Sequence, residues 1–82
     1  MDKVREVQLP IIVERDDDGF YTVECPLFQG CFTQGKTLDE ALENIQEVIG
    51  LVLKEPENKD LLSHYEEPKE IGLRTIRTSV HV

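Results

Sequence analysis

Two cysteines, two histidines and a run of three aspartates are the side chains here whose chemistry could go beyond packing. Cys25, Cys31, His64 and His81 are zinc ligands by type. The Cys-x5-Cys interval is wider than the usual zinc-finger gap, and neither histidine sits in a paired motif. The cysteines read instead as small buried hydrophobes near a strand end, that is, as structural thiols. A nucleophilic cysteine needs its thiolate beside a base or a helix N-terminus. Cys31, six residues before Thr37, is the one hint of such a position. Asp16, Asp17 and Asp18 supply three carboxylates, but a magnesium site takes carboxylates that converge from several elements. Consecutive residues splay apart, and with Gly19 behind them these three spell a hairpin turn. Gly30 and Gly35 are isolated turn glycines, not a phosphate-cradling loop. No catalytic residue, metal or cofactor is assigned, and the chain is read as a non-enzyme.

Charge narrows the partners. The 82 residues carry nine Lys and Arg against seventeen Asp and Glu, a net charge of −8. Such a chain repels phosphate backbones and anionic membranes and attracts basic proteins. Acidity that serves only solubility is the plainer alternative. No basic patch interleaved with aromatics is present, so neither direct nucleic-acid contact nor membrane association is expected. Met1-Asp2-Lys3 opens on charge, so no secretory signal is expected. The apolar run Val48 to Leu53 is too short to span a bilayer. Two cysteines without a signal suggest a reducing, cytoplasmic setting. The length fits one domain, 1–82. A domain this small buries only about 60% of its unfolded surface, which makes self-association or a partner a natural source of stability.

The elements that would position these groups follow from pattern. Val7, Leu9, Ile11 and Val13 alternate with Gln8, Pro10, Ile12 and Glu14, which predicts a first strand over 7–14. Pro10 lacks an N–H and belongs at a strand start or edge. The Asp-Gly turn leads into a second strand, Phe20 to Cys25, ended by Pro26, and Cys31 to Gln34 is a brief third. Thr37 and Glu40 form a capping box, with Asp39 and Glu40 at the positive end of the helix dipole. Leu38, Ala41, Leu42, Ile45, Val48, Ile49 and Val52 make one buried stripe of a long helix. Pro56 stops it, and one or two helical turns are expected within 58–65. Leu73 to Val82 is rich in β-branched residues and alternates Ile76, Thr78, Val80 and Val82 with Thr75, Arg77, Ser79 and His81, which predicts a closing strand. The expected fold is an α+β two-layer sandwich, β-β-β-α-β. A right-handed crossover would give the strand order 3-2-1-4.

The string Asp17-x-Gly19-x-Tyr21-x-Val23, then Cys25-Pro26-x-x-x-Gly30-Cys31-x-x-x-Gly35-x-Thr37-x-x-Glu40-Ala41, resembles the HicB-like antitoxin family. The likeness covers about residues 7–54. It implies a partial ribonuclease-H-like fold. Members commonly pair with a small basic toxin of the HicA type, which has a double-stranded-RNA-binding-like fold and cleaves RNA with a histidine. The antitoxin covers that site and often assembles as a homodimer or tetramer. Two departures stand out. The family loop Pro-Asp-Leu-Pro-Gly-Cys reads Pro26-Leu27-Phe28-Gln29-Gly30-Cys31 here, and the gained apolar pair is either satellite core or a contact surface. Full-length members add a DNA-binding segment. The 28 residues after Lys54 leave no room for one, so a short form without operator binding is expected.

The resemblance therefore implies a module that binds and masks a toxin. Leu27, Phe28 and Gln29 are its partner-facing loop, and Asp39, Glu43 and Glu47 are an acidic surface for a basic toxin. The charges alone describe a solvated face just as well. A dimer through the sheet is expected, because one helix leaves Ile12 and Phe20 uncovered. The rival reading is a stand-alone homo-oligomeric domain of unknown role. A nuclease remnant acting through Asp16 to Asp18 is not expected.

Overall fold

A computed structural model describes residues 6–81, and the expectations for residues 1–5 and for Val82 lie outside them. The first turn forms as its residues require. Asp16 Oδ1 accepts from the N–H groups of Asp18 at 3.0 Å and Phe20 at 2.8 Å, an aspartate turn that staples itself. Gly19 takes a φ of +90°, open to glycine at no steric cost. Around this turn β1 (Ile12–Arg15) pairs antiparallel with β2 (Tyr21–Glu24), and β2 pairs with β3 (Phe32–Gly35). Val13, Val23 and Thr33 stand side by side in register, as do Ile12, Glu24 and Phe32 in the next row. The first row faces the helix and the second faces away.

β1 is shorter than the 7–14 predicted. Residues 7–11 join no ladder, consistent with the missing N–H of Pro10, yet Leu9 and Ile11 still pack on the core. α1 (Leu38–Val52) starts where the capping box places it. Thr37 Oγ1 accepts from the Glu40 N–H at 3.1 Å. The Glu40 carboxylate reaches one residue further back than a capping box requires, to the N–H of Lys36 at 3.3 Å. Asn44 Nδ2 donates to the Gln34 carbonyl at 2.9 Å and pins the helix to β3. α1 lies over β3 and, to a lesser extent, β2. Val23, Cys25, Phe28, Cys31, Ala41 and Ile45 are fully buried between the layers, and no polar side chain is buried with them among the described residues.

Pro56 does more than end α1. It opens a second helix, α2 (Pro56–Ser63), at the position where a missing N–H costs nothing. Asn58 Nδ2 donates to the Val52 carbonyl at 2.7 Å and so caps the end of α1.

The closing strand expected over Leu73 to Val82 does not form. Residues 65–81 hold neither helix nor strand, so the order is β-β-β-α-α and the sheet reads β1-β2-β3. β-Propensity describes fit to a neighbouring strand and creates no strand by itself. The backbone of Gln8, which such a strand would approach, is bonded to side chains instead. Its N–H donates to Glu67 Oε1 at 2.7 Å and its carbonyl accepts from Tyr65 Oη at 2.9 Å.

Candidate partner-binding surfaces

The groups capable of chemistry do not converge. Cys25 and Cys31 face each other at the end of the β2–β3 ladder, where the Cys25 N–H donates to the Cys31 carbonyl at 2.9 Å. Both are free thiols buried in the core. His64 lies exposed after α2, its ring within hydrogen-bond distance of Ser63 Oγ and the Asp60 carbonyl. Among the described residues, no three of the His, Cys, Asp and Glu side chains gather around one point fit for a metal. Asp16 is occupied in its own turn.

Burial pushes both thiols above the ordinary cysteine range. For Cys25, hydrogen bonds from Leu27 partly oppose it, and for Cys31 the neighbouring Cys25 adds to it. The folded state then holds the thiol protons more tightly than the unfolded chain. The resulting stability is fully present below the unfolded thiol value, near 8.5, and is lost as pH rises through the raised folded values. The melting temperature is therefore expected to fall as the buffer is raised from about pH 8.5 to 10.5. The Cys31→Ala variant should show a shallower fall. Parallel curves for the two proteins would exclude the thiols as the cause.

The loop from Pro26 to Gly30 folds inward. The Phe28 N–H donates to the Cys25 carbonyl at 3.3 Å, and Gly30 turns the chain with a φ of +73°. This geometry drives the Phe28 ring into the core beside both cysteines, with Leu27 packed partly against it. Of the loop residues proposed to face a partner, Phe28 is core in this chain and Gln29 stands exposed. Of the two readings the sequence left open for the apolar pair Leu27-Phe28, satellite core is the one Phe28 takes.

Asp39, Glu43 and Glu47 are all exposed, on the side of α1 opposite Ala41 and Ile45. Among the described residues no Lys or Arg nitrogen lies within 4.0 Å of a carboxylate, so this acidic stripe has no cation of its own there. Like charges four residues apart weaken a helix by about 0.2–0.5 kcal/mol per pair. Asp39 recovers some of that from the helix dipole, and Glu43 and Glu47 lie too far along to do so.

The outer sheet face is the other open surface. Ile12, Glu14, Thr22, Glu24, Phe32 and Gln34 line a shallow trough across it. Phe32 is 66% exposed, although its type belongs in a core. Sequence reasoning placed Ile12 on this face and missed Phe32. The alternation of Cys31 and Thr33 inward with Phe32 and Gln34 outward carried the signal.

Comparison with known proteins adds a family. The family described as HicB-like antitoxin of bacterial toxin-antitoxin system matches residues 9–73. A UPF0150 protein of Synechocystis sp. is 49% identical over 47 residues, covering 57% of this chain and 68% of the relative. A UPF0150 protein of Archaeoglobus fulgidus is 42% identical over 52 residues, covering 63% and 75%. One from Thermoplasma acidophilum is 56% identical over 39 residues, covering 48% and 56%. No solved structure matches the chain.

Proposed function

The chain belongs to the HicB-like antitoxin family, and from that premise we propose that it binds and masks a small basic RNA-cleaving toxin of the HicA type. The observation that carries this reading is the exposed acidic stripe Asp39–Glu43–Glu47, which repels itself along α1 and has no internal cation among the described residues. Complementary charge speeds encounter, and apolar contacts hold the complex. Ile12 and Phe32 on the outer sheet face, with Leu27 and Gln29 at the loop, supply those contacts. Phe28 supports the loop from inside.

The module acts by covering its partner, in the cytoplasm, with no catalytic step of its own and no direct contact to nucleic acid. We read the meander crossed by α1 as the part of the family's ribonuclease-H-like arrangement that this chain would contribute. Copies associate as homodimers or tetramers through the outer sheet face, where an exposed phenylalanine and a half-buried isoleucine gain from mutual burial.

The test is co-expression with a small basic protein of the HicA type, sought first among the genes adjoining that of this chain. Glu43→Lys combined with Glu47→Lys is expected to slow association with it about tenfold or more at low salt, with the difference shrinking as salt rises. Both side chains are exposed, so the melting temperature should stay close to that of the unaltered chain. Unchanged association, or the lack of any complex with the unaltered chain, would remove the reading.

A further inference from the structure

The C-terminal arm, residues 73–81, carries apolar residues that nothing covers. Leu73, Ile76 and Val80 are 74%, 87% and 72% exposed, close to what a free chain would show. Alternation puts Ile76, Thr78 and Val80 on one side and Thr75, Arg77 and Ser79 on the other. The arm also stretches the molecule. Its radius of gyration is 15.3 Å, against about 12 Å for a compact chain of this length, and its extents are 54 × 28 × 24 Å.

The body offers a matching surface. β1 stands at the edge of the sheet, and its second side pairs with no strand among the described residues. Beside it a groove of about 430 Å³ runs between residues 7–11 and α1, lined by Val7, Leu9, Ile11, Leu42 and Ile49. Charge fits as well. Two of the nine basic residues, Arg74 and Arg77, fall in the arm, which has no acid. The rest of the chain holds the other seven against all seventeen acids, so an arm of +2 faces a body of −10.

We propose that the arm of one copy adds as a strand to the free edge of β1 in a second copy, reciprocally, in a two-fold dimer. Ile76 and Val80 enter the apolar groove, and Arg77 on the opposite side lies beside Glu14 of the outer face. The second copy is favoured over the arm's own chain by its root. Tyr65 and Glu67 tie the chain to Gln8, within reach of its own β1 edge, yet the arm leaves that edge open. At ~3.3 Å per residue the arm spans about 30 Å, enough to run the length of β1 and the groove. Exposed edges and unpaired strand formers are the elements that proteins exchange between copies. This mode of assembly stands apart from toxin capture and from contact through the outer sheet face.

Two measurements on the full chain test it. Light scattering should give at least twice the 9.4 kDa chain mass, and Ile76→Asp combined with Val80→Asp should halve the mass of the assembly at micromolar concentration, a tetramer falling to the outer-face dimer or a dimer to monomer. Both residues are exposed within one copy, so the folded body should keep its circular dichroism and melting curve. In a mixture of ¹³C-labelled and unlabelled chains, filtered NOEs should connect the methyls of Ile76 and Val80 to those of Leu42 and Ile49 between copies. A monomeric full chain, a dimer indifferent to the double substitution, or contacts confined to one copy would each overturn the exchange. None of these outcomes bears on complex formation with the basic toxin, which is measured separately.

Discussion

Gly35→Ala is expected to lower the melting temperature by about 10–20 °C. Gly35 ends β3 directly beneath the first turn of α1, and its role is space. A Cβ built there would stand 2.5 Å from the Ala41 nitrogen, 2.9 Å from its Cα and 3.0 Å from the Glu40 carbonyl carbon. All three are backbone atoms of a capped helix, so no side chain can swing aside. The helix must lift off the sheet. Overpacking of this kind costs about 1–3 kcal/mol, and each kcal/mol moves the midpoint of a domain this size by about 4–8 °C. Gly50→Ala is the control. Gly50 is exposed in the interior of α1, and a Cβ there meets nothing within 4 Å. That change should raise stability by up to about 1 kcal/mol through helix propensity alone. Thermal melts of both variants decide the matter. If Gly35→Ala melted like the parent, the close strand–helix approach would be wrong.

This contrast marks what the chain reveals before it folds. The meander, the Asp-Gly turn and the helix start were legible, because each depends on residues within a few positions of one another. Asp16 staples its own turn, and Thr37 caps its own helix. The inward stripe Ala41, Ile45, Val48, Ile49 and Val52 was legible for the same reason, since period alone sets which side of a helix is apolar, but Leu38 and Leu42, expected to be buried in it, lie 40% and 38% exposed along its edge. The arm was not. Its alternation is that of a strand, but whether it pairs depends on an edge far away in sequence, and Gln8 meets Tyr65 and Glu67 side chains there instead. Pro56 was read only as a stop, and its second role as the opening of α2 escaped notice for a related reason. A proline ends one helix and opens the next with equal ease, and only the cap that Asn58 supplies to Val52 shows both happening within one short stretch.

The candidate surfaces divide along the same line. The exposure of Asp39, Glu43 and Glu47 followed from helical period. The outward side of Phe32 followed from alternation with Cys31 and Thr33, and what needed tertiary structure was its place in one row with Ile12 and Glu24. The six residues fully buried between the layers make a small core, and the open sheet face and the bare arm are apolar area left over from it. An acidic body with uncovered apolar surface is what both proposals, a second copy and a basic partner, rest on.

The loop from Cys25 to Cys31 is where core and contact must be told apart, and Phe28→Ala does so. Phe28 is 3% exposed and packs with Cys25, Cys31 and Ile45 in one cluster. Removing a buried phenyl ring costs about 3–5 kcal/mol, a large share of the roughly 4–12 kcal/mol available to a domain of this length. The variant should therefore melt about 15 °C or more below the parent, and its affinity for the proposed toxin partner should fall only as far as the folded fraction falls. Phe28→Leu, which refills most of the volume, should recover much of the loss. Gln29→Ala, one residue on and exposed, should leave the melt within about 0.5 kcal/mol, and any loss of affinity it shows would come from direct contact. Had the ring faced the partner instead, Phe28→Ala would keep its melting temperature while binding collapsed. Melting and binding measured on the same three variants separate a loop that presents residues from one that holds the domain closed behind them.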